Sequence, residues 1–135
     1  MEDAVSVEES VNELLDLTQQ LLDSIATADW ETYERLCDAT LSAFEPEARG
    51  HLIDGMEFHR FYFDLGAGAS TKNTTICLPH VRLLGEDAAV VSYIRLVQCL
   101  DADGVPQTSR FEETRIWERQ DGAWRHVHFH RSAND

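Results

Sequence analysis

Apolar positions near the start of the chain recur at intervals of three and four: Val7, Val11, Leu14 and Leu15, Thr18, Leu21 and Leu22, Ile25. This spacing lays one broad stripe along an α-helix. The helix is predicted from Ser6 to Thr27, with Glu9, Glu13, Asp16 and Gln20 on its wetter side. Ser6 and Glu9 have the spacing of a capping box. Asp29 is placed to cap a second, shorter helix from Trp30 to Cys37, on which Trp30, Tyr33 and Leu36 share a face. Leu41 to Phe44 reads as a short strand stopped by Pro46. A third helix is predicted from Met56 to Leu65, broken by the glycines that follow it.

From Thr74 onward the apolar period becomes two. Strands are predicted at 74–84, 88–100, 106–119 and 123–130, with Pro79 marking a bulge or an edge position in the first. The turns at Gly85–Asp87, Asp101–Gly104 and Asp121–Gly122 suit hairpin connections. Three helices followed by a meander of long strands predict an α+β fold, in which a strongly curved antiparallel sheet folds over the long helix.

Strand alternation groups candidate chemistry. Val91, Tyr93, Arg95 and Val97 fall on one face of their strand; Phe111, Glu113, Arg115 and Trp117 on one face of the next; Arg125, Val127, Phe129 and Arg131 on one face of the last. Arg95, Arg115 and Arg131 therefore all keep company with bulky apolar side chains. They either pair with neighbours such as Glu113 or lie at solvent-facing strand ends, or they line a partly buried basic cavity suited to bidentate carboxylate recognition. The opposite face of the last strand is predicted to carry Trp124, His126, His128 and His130. The three histidines there fit either a metal site or an interface of half-polar rings.

Composition narrows the choices. The 135 residues suit a single domain of about 6–132, with short tails at 1–5 (expected to be disordered) and 133–135. The chain carries 11 basic and 25 acidic side chains, a formal charge of -14. That balance argues against nucleic acid and anionic membrane as partners. No Lys or Arg precedes Arg35. The odd set Cys37, Cys77 and Cys99 reads as buried thiols in a reducing compartment, so a cytoplasmic location is expected. The opening residues show neither a basic n-region nor an apolar h-region of a secretory signal. No apolar run approaches the roughly 18 residues of a membrane span.

Catalytic motifs are absent: the chain has no phosphate-binding glycine loop, HExxH, GxSxG or CxxC. A solitary acid or base could still come from Glu113, Asp54 or His59, but His59 and Asp64, five apart, lie on poorly matched helix faces. His59 serves either the cavity or a backbone carbonyl. No catalytic residue, metal or cofactor is expected.

LSAFEPEARGHLIDGMEFHRFYFD, LPHVRLLGEDAAVVSYIRLVQ and FEETRIWERQDGAWRHVHFHRS, with the helical opening, resemble the association (hub) domain of calcium/calmodulin-dependent protein kinase II over residues 7–132. The resemblance implies a cone-shaped, NTF2-like (cystatin-like) fold with its long N-terminal helix packed in the sheet. It implies a non-catalytic scaffold, a double ring of about twelve or fourteen copies that gathers kinase domains. A ketosteroid-isomerase-like activity has only fold analogy behind it. The family's pocket residues fall on His59, Arg95, Arg115 and Arg131, with Tyr93 and Glu113 as supports. The implied ligand is a carboxylate or an acidic kinase segment, and Arg60 is left to packing or an ion pair. Animal relatives have a tryptophan in the loop where this chain has Leu65-Gly-Ala-Gly-Ala-Ser70. Any kinase would be joined in cis or recruited in trans.

Overall fold

The computed structural model describes residues 6–68 and 71–133; the expected tail at 1–5 lies outside them. The long helix, α1, spans Val7–Ala26. Ser6 caps it, its hydroxyl accepting a hydrogen bond from the Glu9 backbone N–H at 3.0 Å. Leu14, Leu21 and Leu22 from the predicted stripe are fully buried, whereas Val7 is 69% exposed and stands outside it. Thr18 is also fully buried, and it tolerates that place because its hydroxyl donates to the Leu14 carbonyl at 2.7 Å. Each buried leucine contributes about 1.5–3 kcal/mol.

Helix α2 spans Trp30–Leu36, with the Asp29 carboxylate accepting from the Thr32 N–H as expected. Cys37 ends no helix but opens β1, Cys37–Phe44, a longer strand than the predicted one. After a 3-10 turn at Pro46–Ala48 come β2, Ile53–Asp54, and α3, Glu57–Asp64. The chain then runs through β3 (Asn73–Leu83), β4 (Ala88–Leu100), β5 (Pro106–Gln120) and β6 (Ala123–Arg131).

The six strands lie in the order β2-β1-β6-β5-β4-β3. The prediction of a strongly curved antiparallel sheet is corrected here. Strands β3 to β6 form the antiparallel meander, but β1 runs parallel to β6, so the sheet is mixed. Hairpin turns dictate direction only within the meander. Strand β1 reaches β6 through a separate connection and is free to lie parallel to it. The sheet is open, its ends at β2 and β3, and is neither strongly curved nor closed. Those edges are blunted: β2 has two residues, and β3 shifts register between Cys77 and His80, around the anticipated Pro79.

One face of this sheet packs against the helices. The core joins the α1 leucines to Tyr33, Leu36, Leu41, Val91, Trp117 and Phe129. Of the cysteines only Cys37 is buried; Cys77 and Cys99 are half-buried. Among the described residues no helix is long and apolar enough to cross a membrane.

Candidate functional site: an arginine and carboxylate cavity

A second irregularity decides which side chains reach the site. Between β5 and β6 the register shifts, pairing Ile116 with His128 but Trp117 with His126. Val127 is thus an extra residue on β6, and the bulge reverses strand parity on either side of it. His126 and Trp124 consequently turn into the core with Phe129, at 0%, 6% and 3% exposure. His128 stays on the other face, where its ring meets the Ser42 hydroxyl at 2.8 Å. The histidine triplet predicted for one face is therefore split. Among the described residues no group of three or more His, Cys, Asp or Glu side chains could hold a metal ion.

The three arginines do converge on one cavity, and each is paired with a carboxylate. Glu113 is buried between two of them, with Arg95 Nη1 donating to Oε2 at 2.8 Å and Arg115 Nη2 to Oε1 at 3.1 Å. The Tyr93 hydroxyl donates to the same Oε1 at 2.6 Å and accepts from Arg115 Nε at 2.8 Å. Burial pushes Glu113 towards protonation, but Arg115 and then Arg95 outweigh it and hold the carboxyl below its usual value. Arg131 grips Glu47 and lies 3.9 Å from Glu45. Arg115 stacks on Phe129 at 4.5 Å, and Arg95 and Arg131 flank the Phe111 ring at 5.2 and 5.1 Å.

Arg95, Arg115 and Arg131 line one cavity of about 160 Å³ with His59, Glu45 and Glu47, walled by Tyr33, Phe63 and Phe129. His59 enters it from α3. Its Nδ1 lies 3.6 Å from Glu45 Oε1, so the side chain faces the cavity rather than a backbone carbonyl. Its Nε2 is buried without a hydrogen-bond partner. Burial, with help from Arg115, lowers its pKa to about 4, so the ring is neutral at pH 7. Glu45 has the opposite history: burial, then Glu47, raises its carboxyl to about 7 against the pull of Arg131.

Behind the cavity, His126 Nε2 faces Arg115 Nη1 at 3.4 Å and its Nδ1 faces Cys37 Sγ at 3.3 Å. A guanidinium only donates, so Nε2 accepts and Nδ1 carries the proton. Cys37 is no nucleophile, since burial raises its thiol to about 12. Asp54 is exposed on β2 and lies away from the cavity. Arg60 pairs with Asp64 at 3.8 Å and covers the Trp30 ring. In FHRFYFD, Phe58 and Phe63 pack on the core, whereas Phe61 and Tyr62 are exposed.

Glu45, Glu47 and Tyr33 were not identified from the sequence as lining the site. Glu45 and Glu47 sit inside the quoted FEPEA stretch, which was the one signal that could have found them.

The family described as calcium/calmodulin dependent protein kinase II association domain matches residues 10–135. The chain belongs to this family. The delta subunit of calcium/calmodulin-dependent protein kinase type II from Oryctolagus cuniculus is 52% identical over 124 residues, covering 90% of this chain. The chain spans 23% of that relative's length. The association domain of C. elegans CaMKII is 46% identical with a TM-score of 0.87, over 93% of this chain and 97% of that one. The C. reinhardtii CaMKII hub homology domain is 45% identical with a TM-score of 0.86, over 91% and 97%. The protein is thus an association (hub) domain of NTF2-like fold, and the likeness is to that non-catalytic part of the kinase.

Proposed function

We propose that this association domain builds a homo-oligomeric hub, an even-numbered double ring of about twelve or more copies, and that it gathers a kinase domain joined in cis or recruited in trans. The carrying observation is the near-complete overlap with the worm association domain at 46% identity. A closed double ring needs two kinds of self-contact, one within a ring and one between rings. Exposed apolar side chains on several elements, among them Val7, Leu52, Phe61, Leu65 and Leu78, supply material for such contacts. Holding many copies together raises the local concentration of whatever each copy carries. Native mass spectrometry at near-physiological salt tests the reading. Particles of about twelve or more 15.3 kDa subunits are expected, and a stable monomer or dimer would overturn it.

A second, compatible reading is supported by the cavity. Arg95, Arg115 and Arg131 converge there with the unpartnered Nε2 of His59, a set suited to a carboxylate. Its volume equals the liquid share of roughly five waters, which suits a small acid better than a peptide segment.

A further inference from the structure

We propose that a small monocarboxylate enters this cavity together with one proton, which Glu45 takes up, so that the site binds the equivalent of a neutral acid. The proposal rests on the carboxylate reading of the cavity and adds its proton stoichiometry and the residue responsible.

Charge constrains what the cavity can accept. Arg95, Arg115 and Arg131 are each already matched, the first two by Glu113 and the third by Glu47 and Glu45. With His59 neutral, three cations face three carboxylates. A further anion would leave one uncompensated charge in a largely buried place, which is costly. The imbalance disappears if one carboxylate is neutralised as the ligand arrives.

Geometry selects Glu45 for that role. Glu113 is locked by Arg95, Arg115 and Tyr93, and Glu47 is held by Arg131 at the wetter rim, its side chain 38% exposed. Glu45 is 9% exposed, and its contacts to His59 Nδ1 at 3.6 Å and Arg131 at 3.9 Å both exceed hydrogen-bond length. The charged and titratable groups facing it are Glu47 from the 3-10 turn, Arg131 from β6, Arg115 and Glu113 from β5, His59 from α3 and Tyr33 from α2. Burial and Glu47 already bring Glu45 to about 7, so a proton is available there near neutral pH. Once protonated, Glu45 becomes a donor towards the ligand, beside the orphaned His59 Nε2.

Propionate is a suitable probe, its carboxylate meeting the arginines and its short chain Phe63 and Phe129. Titration calorimetry of the assembled protein, in pairs of buffers with different ionisation enthalpies, reads affinity and proton uptake together. Uptake should approach one proton per propionate above pH 7. Affinity should fall about fivefold from pH 7 to 8 and approach tenfold per unit beyond. Arg95→Ala should weaken binding at every pH. Glu45→Gln should bind propionate without proton uptake and with a flat profile from pH 6 to 8. Uptake retained in Glu45→Gln would overturn the assignment. Wild-type binding without uptake would overturn the proposal while leaving the carboxylate reading standing. No saturable propionate binding at any pH would remove both. Should Glu45→Gln fail to assemble, infrared difference spectra of the wild type decide instead: propionate must produce a new protonated-carboxyl stretch at pH 7.5, and its absence counts against the proposal.

Discussion

Glu45 and His59 lie 3.6 Å apart and are displaced in opposite directions by the same burial, each towards its neutral form. This makes them opposing contributors to stability. Glu45 rises from 4.5 to about 7, so between those values the folded chain holds a proton that the unfolded chain has released. Its contribution is complete below 4.5 and is lost as pH climbs to 7. His59 falls from 6.5 to about 4, so the unfolded chain binds the extra proton, and stability grows as pH rises through that interval. His126, driven down by burial and then Arg115, acts in the same sense as His59. Glu45→Gln removes the only falling contribution in this set. The variant should therefore gain on the wild type between pH 5 and pH 8, by up to about 3 kcal/mol. Urea unfolding at both pH values measures the gain; a constant difference would show that Glu45 does not titrate as the fold requires.

At the scale of elements, a single residue separates what was readable in the chain from what was not. The caps Ser6 and Asp29, the α1 stripe from Leu14 onward and the bulge at Pro79 were legible because each rests on local chemistry. Arg95, Arg115 and Glu113 were grouped by parity because β4 and β5 pair without interruption. Parity failed for His126 because Val127 carries no mark of a bulge: it is neither Gly nor Pro, and the cause is tertiary, the fit of Trp124 and His126 against the core. The parallel placement of β1 beside β6 was equally hidden, since no hairpin records it. Even so, Arg131 reached the expected face, because it and Phe129 lie on the same side of the bulge. Deleting Val127 should leave Trp124, His126, Phe129 and Arg131 all on the core face, because without the extra residue the strand alternates simply in the register it already makes with β5. The deletion variant is therefore expected to fold, with a loss on the order of 1–3 kcal/mol from straightening the strand, and Val127→Ala should melt close to wild type. Thermal melts followed by near-ultraviolet circular dichroism compare the two, and an unfolded deletion variant would show that the bend the bulge makes is required as well as the facing of its neighbours.

For the whole molecule, the property that bears most on assembly is charge. Each copy carries a formal charge of -14, with no basic side chain before Arg35 and with Arg95, Arg115 and Arg131 committed to internal pairs. A ring of such copies repels itself at every interface, and the repulsion grows as copies are added. Apolar burial at the contacts is indifferent to dilute salt, while the opposing repulsion is screened over about 10 Å at 0.1 M and about 30 Å at 0.01 M. The balance therefore moves with ionic strength in one direction. Lowering salt lets each charge act across a whole neighbouring subunit, and the oligomer should dissociate at a higher protein concentration at 10 mM than at 500 mM salt. Sedimentation velocity at micromolar protein across that range measures the shift. A distribution that stays constant would mean that local pairing at the contacts cancels the net charge. Dissociation at the high-salt end instead would identify ion pairs between subunits as the dominant attraction.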